Sequence, residues 1–346
     1  MIDTRCVNER KVSIAPWVTK LAPRGFTVSR VNRFFILLIA AMLNLGCHAV
    51  PEKGAVSQKA EQSAEKNASD IKAKDNDETK SVHLRHGVDE SAGGLSAYIV
   101  TISNAIFYLE KEGGGLSSML DTDGVDWIGF HNVAGSGWKG EYRGFPNAIH
   151  KQDGSYFHAM NAGTEPSTSR VTIEAPEHVQ IVFTSGNGKW QANWDFYPDR
   201  CDFTMAKVSP GYHYWVQYEG VPGGLMDESD FWYNSADNQR HPINESFIGD
   251  LPSPEWFAFG DAKSPRMLYL LHHEDDLQRG AEQLAPKQSE DKHPDNYVSR
   301  PYMTVLGFGR SNKDKFLNTP RRFSLGFVES TGYESLEETV SHLIAQ

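Results

Sequence analysis

The sequence predicts an all-β fold: a large, mainly antiparallel β-sandwich, supersandwich-like, closed by a short C-terminal helix. Three observations carry this. From Ala97 onward, short runs rich in aromatic and β-branched residues alternate with clusters of Gly, Asp, Asn and Pro. Aromatic residues make up 11% of the chain, and helical periodicity is confined to its last residues. No repeat of fixed period recurs, which argues against a propeller.

The elements follow in order. The runs 97–103, 105–111, 115–120 and 125–130 read as strands, punctuated by Gly113-Gly114-Gly115 and by Asp121-Thr122-Asp123-Gly124. Next come 169–175, 178–185, 189–197 and 201–207, with a turn at Gly186-Asn187-Gly188. Ser209-Pro210-Gly211 precedes 212–219, and 255–260, 266–273, 302–309 and 322–329 complete the set. Only Ser335–Ala345 has helical character, with Glu337 and Glu338 suited to a helix N-terminus. Strands at this spacing imply stacked antiparallel sheets.

Ahead of these strands the chain reads as an address and a tether. Phe34–Leu45 is FFILLIAAMLNL, preceded by Arg24, Arg30 and Arg33. A basic region followed by an apolar run of this length reads as a signal peptide, too short to span a bilayer comfortably. Leu45-Gly46-Cys47 resembles the lipobox of bacterial lipoproteins, although Asn44 stands where that motif prefers Leu. That resemblance implies lipidation at Cys47, with ordinary secretion as the alternative. Residues 48–90, rich in Lys, Glu, Asp, Ser and Ala, read as a disordered linker. The expected organisation is therefore a leader at 1–47, a linker at 48–90 and one β-sandwich domain at 91–346.

Charge and cysteine usage narrow the function. A formal net charge of −11 repels phosphate backbones, so nucleic acid is excluded as a partner. The expected membrane contact is only through a lipid at Cys47. Of the three cysteines, Cys6 and Cys47 fall in the leader, leaving Cys201 alone in the domain. An internal disulfide there and a cysteine-rich zinc site are both excluded.

Three groups of residues are candidates for chemistry. Tyr142, Arg143, Asn147, His150, Tyr156 and His158 lie in the Gly-rich stretch 131–164. Long loops of this kind are functional or mobile. Arg143 and Asn147 suit carboxylate or hydroxyl recognition, and His150, Tyr156 or His158 suit proton transfer. The second group is His272-His273-Glu274-Asp275-Asp276, where consecutive histidines on a strand point to opposite faces. One of them, with His272 the catalytic candidate, could bind a metal or form an acid–base pair with Glu274 or Asp275; the spacing matches no specific metal motif, and metal and cofactors are left unknown. The third is the strand 212–219, whose residues Tyr212, Tyr214, Val216 and Tyr218 read as a core face. The opposite face, His213, Trp215, Gln217 and Glu219, with Arg200 as a candidate addition, has the ring and hydrogen-bonding groups of a sugar-binding surface.

The stretch 105–130, AIFYLEKEGGGLSSMLDTDGVDWIGF, resembles the opening of galactose-mutarotase-like and polysaccharide-lyase-like β-sandwiches. There the first hairpin often reads Gly-Gly-x-Ile/Leu-x-Ser-Leu before an Asp-Gly turn. The resemblance is also to secreted glycan proteins at Tyr142–Asn147 and at the YPDRC run 197–201. It implies an oligo- or polysaccharide ligand, and lyase or epimerase chemistry rather than hydrolysis, since no carboxylate pair stands out. The alternative is a non-catalytic glycan-binding or structural lipoprotein of the envelope. No catalytic residue is carried over by motif.

Overall fold

The computed structural model describes residues 81–131, 143–149, 152–159, 165–274, 281–288, 301–309 and 317–346. Its strands are β1 (His83–Asp89), β2 (Leu95–Thr101), β3 (Ile106–Glu110), β4 (Leu116–Leu120), β5 (Thr168–Ala175), β6 (His178–Thr184), β7 (Trp190–Tyr197), β8 (Arg200–Val208) and β9 (Val216–Gly220). They continue as β10 (Asp230–Asn234), β11 (Asp237–Pro242), β12 (Phe247–Gly249), β13 (Glu255–Asp261), β14 (Met267–His272), β15 (Ala281–Gln288), β16 (Pro301–Phe308) and β17 (Arg321–Val328). One helix, α1 (Tyr333–Ile344), ends the chain.

One sheet has nine strands, ordered β11-β10-β13-β14-β17-β8-β7-β6-β5. Two others have four each, β1-β2-β3-β4 and β12-β15-β16-β9. The segment 143–149 joins these two. The Leu116 N–H donates to Phe145 O on the β4 side (2.7 Å), and on the β9 side Gly144 N–H donates to Glu219 O (2.7 Å). The bonds from Glu219 N to Gly144 O, Gln217 N to Pro146 O and Trp215 N to Ala148 O continue that ladder at 3.0, 2.8 and 3.0 Å. The two small sheets thus become one layer against the nine-stranded sheet.

Alternation along the strands places the core between the layers. Trp194 and Phe196 on β7, Phe203 on β8, Leu268 and Leu270 on β14 and Phe323 on β17 meet Phe107, Leu109, Val216, Tyr218 and Phe308 from the other layer. Phe145 packs edge-on against Trp194 at 5.8 Å, and the Trp194 indole N–H donates to Gly114 O at 3.1 Å. Burying an indole with its donor satisfied keeps the apolar gain without a polar penalty. The opposite face of the nine-stranded sheet carries Tyr233, Met267, Tyr269 and Leu271, covered by Leu336, Val340 and Leu343 of α1. That i, i+4, i+7 spacing is the apolar stripe of an amphipathic helix.

Most expected strands are present within two residues of their expected ends, and His272 and His273 do point to opposite faces. Several expectations are corrected. β1 lies inside the stretch read as linker and pairs with β2 from His83↔Thr101 to Asp89↔Leu95. It is an exposed edge strand with few apolar residues, so its pattern was solvent-like. The run 125–130 is no strand: it makes one bridge, Leu120↔Asp126, and delivers Trp127, Ile128 and Phe130 to the core from a loop. The Asp126 carboxylate holds that loop by accepting the Met119 and Ile128 N–H groups, each at 3.0 Å. Strand 212–219 begins only at Val216. β10, β11, β12 and β15 were not expected; β10 is buried along its whole length and β11 is a polar outermost strand.

Cys201 is fully buried and unpaired, and burial pushes its thiol well above the ordinary value. That fits the small-hydrophobe role and not a nucleophile. Among the described residues no helix is long and apolar enough to cross a membrane.

Arg266 clamps the turn after β4 to the nine-stranded sheet. Its Nη1 donates to Asp121 Oδ2 (2.7 Å) and Asp123 Oδ2 (2.8 Å), Nη2 to Thr122 Oγ1 (2.7 Å) and Nε to Glu329 Oε2 (3.0 Å). Burial alone would raise Asp121, but Trp127 Nε1, the Val125 N–H and Arg266 together hold it below the ordinary carboxylate value. Its contribution is therefore present above the unfolded pKa and lost as pH falls through the lowered folded value. Arg266→Met is expected to cost about 3 kcal/mol, the low end for removing one partner of a buried pair, because Trp127 and backbone donors still hold Asp121. Urea melts check this: the wild-type advantage should be largest near neutral pH and shrink once Asp121 is protonated.

Candidate functional site

On β9, Val216 and Tyr218 point into the core, so Gln217 and Glu219 point to the outer face of their layer. Neither is open to solvent: Gln217 is 1% and Glu219 5% exposed. The Asn147 amide Nδ2 donates to Glu219 Oε2 at 2.8 Å, and Asn147 itself is fully buried. Arg143 is the chain neighbour of Gly144, and its Nη1 donates to Gly129 O at 2.9 Å. An amide N–H donor holds one carboxylate oxygen of Glu219 in a fixed orientation.

The backbone here is strained. Asn147 (φ 43°), Asp153 (φ 59°) and Phe157 (φ 54°) are the non-glycine residues with positive φ among the described residues, and all fall within 143–159. Positive φ is tolerated by Asn and Asp but costs a bulky residue such as Phe, and such strain collects at functional sites. The glycine run accommodates this segment. A Cβ on Gly113 would lie 1.8 Å from His158 O, and one on Gly115 2.8 Å from His158 C. The run thus serves as a docking notch for 157–159 as well as a hairpin turn; Phe157 N–H donates to Gly113 O at 3.0 Å.

The other expected site residues are scattered. His158 is 6% exposed and sits edge-on to Phe130 at 5.8 Å. Tyr156 is a core side chain, tilted against Trp190 at 5.9 Å, and burial raises its phenol. His213 is half-buried, its N–H bonded to Gln152 Oε1 at 2.9 Å. Trp215 is 4% exposed, so its ring is not the open stacking platform expected of it. Both residues precede β9. Tyr142, His150, Asp275, Asp276 and Cys47 lie outside the described residues.

Arg200 stands elsewhere, on the outer side of the nine-stranded sheet, over the Tyr197 ring at 4.1 Å and 3.4 Å from Asp202. His272 lies in the core between the layers. Its Nδ1 is 2.7 Å from Glu255 Oε2, its Nε2 is 3.7 Å from Glu274, and its ring stacks on Phe323 at 4.6 Å. The structure therefore gathers Asn147, Gln217 and Glu219, with Trp215 alongside, turns Arg143 toward Gly129 and Tyr218, and leaves Arg200 and His272 out. Glu255, the partner of His272, was missed because 17 residues separate the two and only the β13–β14 register brings them together.

A second polar chain crosses the outer side of the nine-stranded sheet. Arg322 Nη2 donates to His273 Nδ1 (2.8 Å), His273 Nε2 donates to Ser324 Oγ (2.7 Å), and Ser324 Oγ donates to Asp202 Oδ1 (2.6 Å). The arginine forces the tautomer with Nε2 protonated, so His273 cannot accept the serine proton. The chain is a positioning network and not a nucleophilic triad. Among the described residues one trio, Asp227, Asp230 and Asp261, offers oxygens within 4.8 Å of one another for a metal.

No family model matches the chain, and no curated protein matches it. It is similar to the solved structure of HI1317, at 13% identity and a TM-score of 0.47, over 71% of this chain and 99% of that one. A proposed mutarotase, YeaD from Salmonella typhimurium, is 12% identical at a TM-score of 0.43, over 70% of this chain and 93% of that one. A proposed aldose 1-epimerase from Escherichia coli K12 is 10% identical at a TM-score of 0.41, over 71% and 99%. Two of these names belong to the class that the stretch 105–130 resembles. Likeness at these identities and scores decides neither family nor activity; the all-β sandwich rests on the pairing and packing above.

Burial and the charges of Arg322, His272 and Arg200 lower His273 from 6.5 to about 3. Between those values the folded protein binds fewer protons than the unfolded chain, so this residue makes stability fall as pH drops through the unfolded value. His273→Gln keeps a donor for Ser324 and an acceptor for Arg322 but cannot titrate. Denaturation between pH 7 and 5 should show a shallower loss in the variant; identical slopes would contradict the neutral histidine.

Proposed function

We propose that the chain is an exported carbohydrate-active protein whose outer-face junction binds a saccharide, with Glu219 as the acid–base group of an epimerase-type reaction. The observation that carries this is the buried Glu219 carboxylate, oriented by Asn147 at 2.8 Å beside strained backbone. Mutarotase and aldose 1-epimerase, the names borne by two similar structures, denote the same chemistry, but the reading rests on these side chains.

For an aldose, Glu219 takes the proton of the anomeric hydroxyl. The C1–O5 bond breaks, C1 becomes a carbonyl, and the electron pair left on O5 takes the proton back from Glu219 through a relaying water, which restores the carboxylate. Rotation about C1–C2 and the reverse steps give the other anomer. Lyase action on a uronate fits less well, because a buried carboxylate repels the substrate's own and Arg143 already spends one Nη on Gly129 O.

The test follows anomer exchange by NMR across neutral aldoses and uronates, with ultraviolet absorbance reporting unsaturated lyase products. The wild type should accelerate exchange of at least one aldose. Glu219→Gln should lose about 100-fold or more of that rate, the usual weight of an acid–base group. Asn147→Gly, which relieves the positive φ and deletes the amide, should lose less. Glycan binding with no turnover across the panel would assign the non-catalytic reading instead.

Export with a lipid at Cys47 belongs to the same proposal, supported by the apolar run before Gly46-Cys47. Mass spectrometry of the membrane fraction should find a mature N-terminus at an acylated Cys47, and Cys47→Ala should release the protein from membranes. A mature N-terminus far from Cys47 would remove the anchor.

A further inference from the structure

The trio Asp227, Asp230 and Asp261 lies at the ends of two paired strands. The β10–β13 register sets Asp230 opposite Asp261. Like charges directly opposite one another in a sheet are destabilising unless something neutralises them. Asp230 is buried beside Asp227 and Asp261. Its Oδ2 accepts the Asp227 N–H at 2.8 Å. Its Oδ1 is buried and has no hydrogen-bond partner among the described residues, although the residue is only 1% exposed. Elsewhere the chain gives buried carboxylates donors: Asp89 Oδ2 accepts Ser117 and Ser118 hydroxyls at 2.6 and 2.7 Å.

The surroundings leave room for the acids. The turn Pro222–Gly224 follows β9, and Gly223 takes φ 65°; a Cβ there would fall 2.4 Å from Asp261 Oδ2. Ser229 Oγ holds Asp261 Oδ1 at 2.6 Å, and the Lys263 N–H donates to the same oxygen at 2.9 Å. Among the described residues one ammonium, that of Lys263, meets the trio; it touches Asp227 and is 65% exposed, so it is displaceable. Oxygens from all three lie within 4.8 Å of one another. Oxygens bonded to one calcium ion at about 2.4 Å lie at most about 4.8 Å apart.

We propose that Asp227, Asp230 and Asp261 form a binding site for a divalent, oxygen-seeking cation of the calcium class. The donors are carboxylate oxygens, the set hard cations take, and among the described residues neither histidine nitrogen nor cysteine sulfur joins them. The ion supplies the partner that Asp230 Oδ1 lacks and ties the turn after β9 to the ends of β10 and β13. It needs no saccharide and is independent of Glu219.

Calorimetric titration of the chelator-stripped full-length chain with calcium chloride tests this, with magnesium and manganese chloride as separate arms. The expected result is saturable binding and a rise in melting temperature that chelator reverses. Asp230→Asn should bind about tenfold or more weakly. Lys263→Met, which removes only the exposed competing ammonium, should bind several-fold more tightly than wild type. The proposal is overturned if wild type and Lys263→Met show neither heat nor a melting shift up to about 10 mM cation, beyond the weakest calcium sites. It is equally overturned if a folded Asp230→Asn binds as wild type does. Should Asp230→Asn fail to fold, the comparison of wild type with Lys263→Met still decides.

Discussion

The sandwich depends on how the buried segment 143–149 spends its backbone. Residues Gly144–Ile149 are all buried, and a buried peptide group without a partner costs as much as a lost hydrogen bond. The chain meets that demand by pairing the segment with β4 on one side and β9 on the other. Two four-stranded sheets of limited stability become one layer wide enough to cover the nine-stranded sheet. The aromatic core around Trp194, Phe145 and Phe203 then fills the space between the layers. Because the same segment carries Asn147 beside Glu219, the pairing that completes the fold also assembles the candidate site.

Polar groups sort by layer. Glu255 and His272 satisfy each other inside the core; Asp202, Ser324 and His273 do so on the far side of the nine-stranded sheet; Asn147 and Glu219 do so on the outer side of the other layer. In each case a donor meets a desolvated carboxylate, as burial of charge requires. Asp230 departs from that rule at one oxygen, Oδ1, and the departure is what singles out the trio around it.

Much of the strand pattern was legible because aromatic and β-branched runs between glycine turns reflect burial directly. The face split of the stretch 212–219 could be read the same way: Tyr214, Val216 and Tyr218 are core. What misled was exposure at the sheet edges. β1 and β11 carry polar residues because one face or both meet water, so they looked like linker and loop. The run 125–130 misled in the opposite sense, since its apolar residues enter the core from a loop held by Asp126. Of the candidate site, Asn147, Gln217 and Glu219 could be singled out by type, but nothing local distinguished them from Arg143, Arg200 or Tyr156, whose side chains the fold sends elsewhere.

Composition and period-two alternation by themselves determined an all-β sandwich with a terminal helix, an acidic surface and a solitary buried cysteine, because each reflects how single residues partition between water and core. Which strands lie side by side, which faces turn outward and which acid meets which amide were decided only by the tertiary structure. Those are contacts between residues far apart in the chain, 72 positions for Asn147 and Glu219, and no local pattern encodes a pairing made across a sheet.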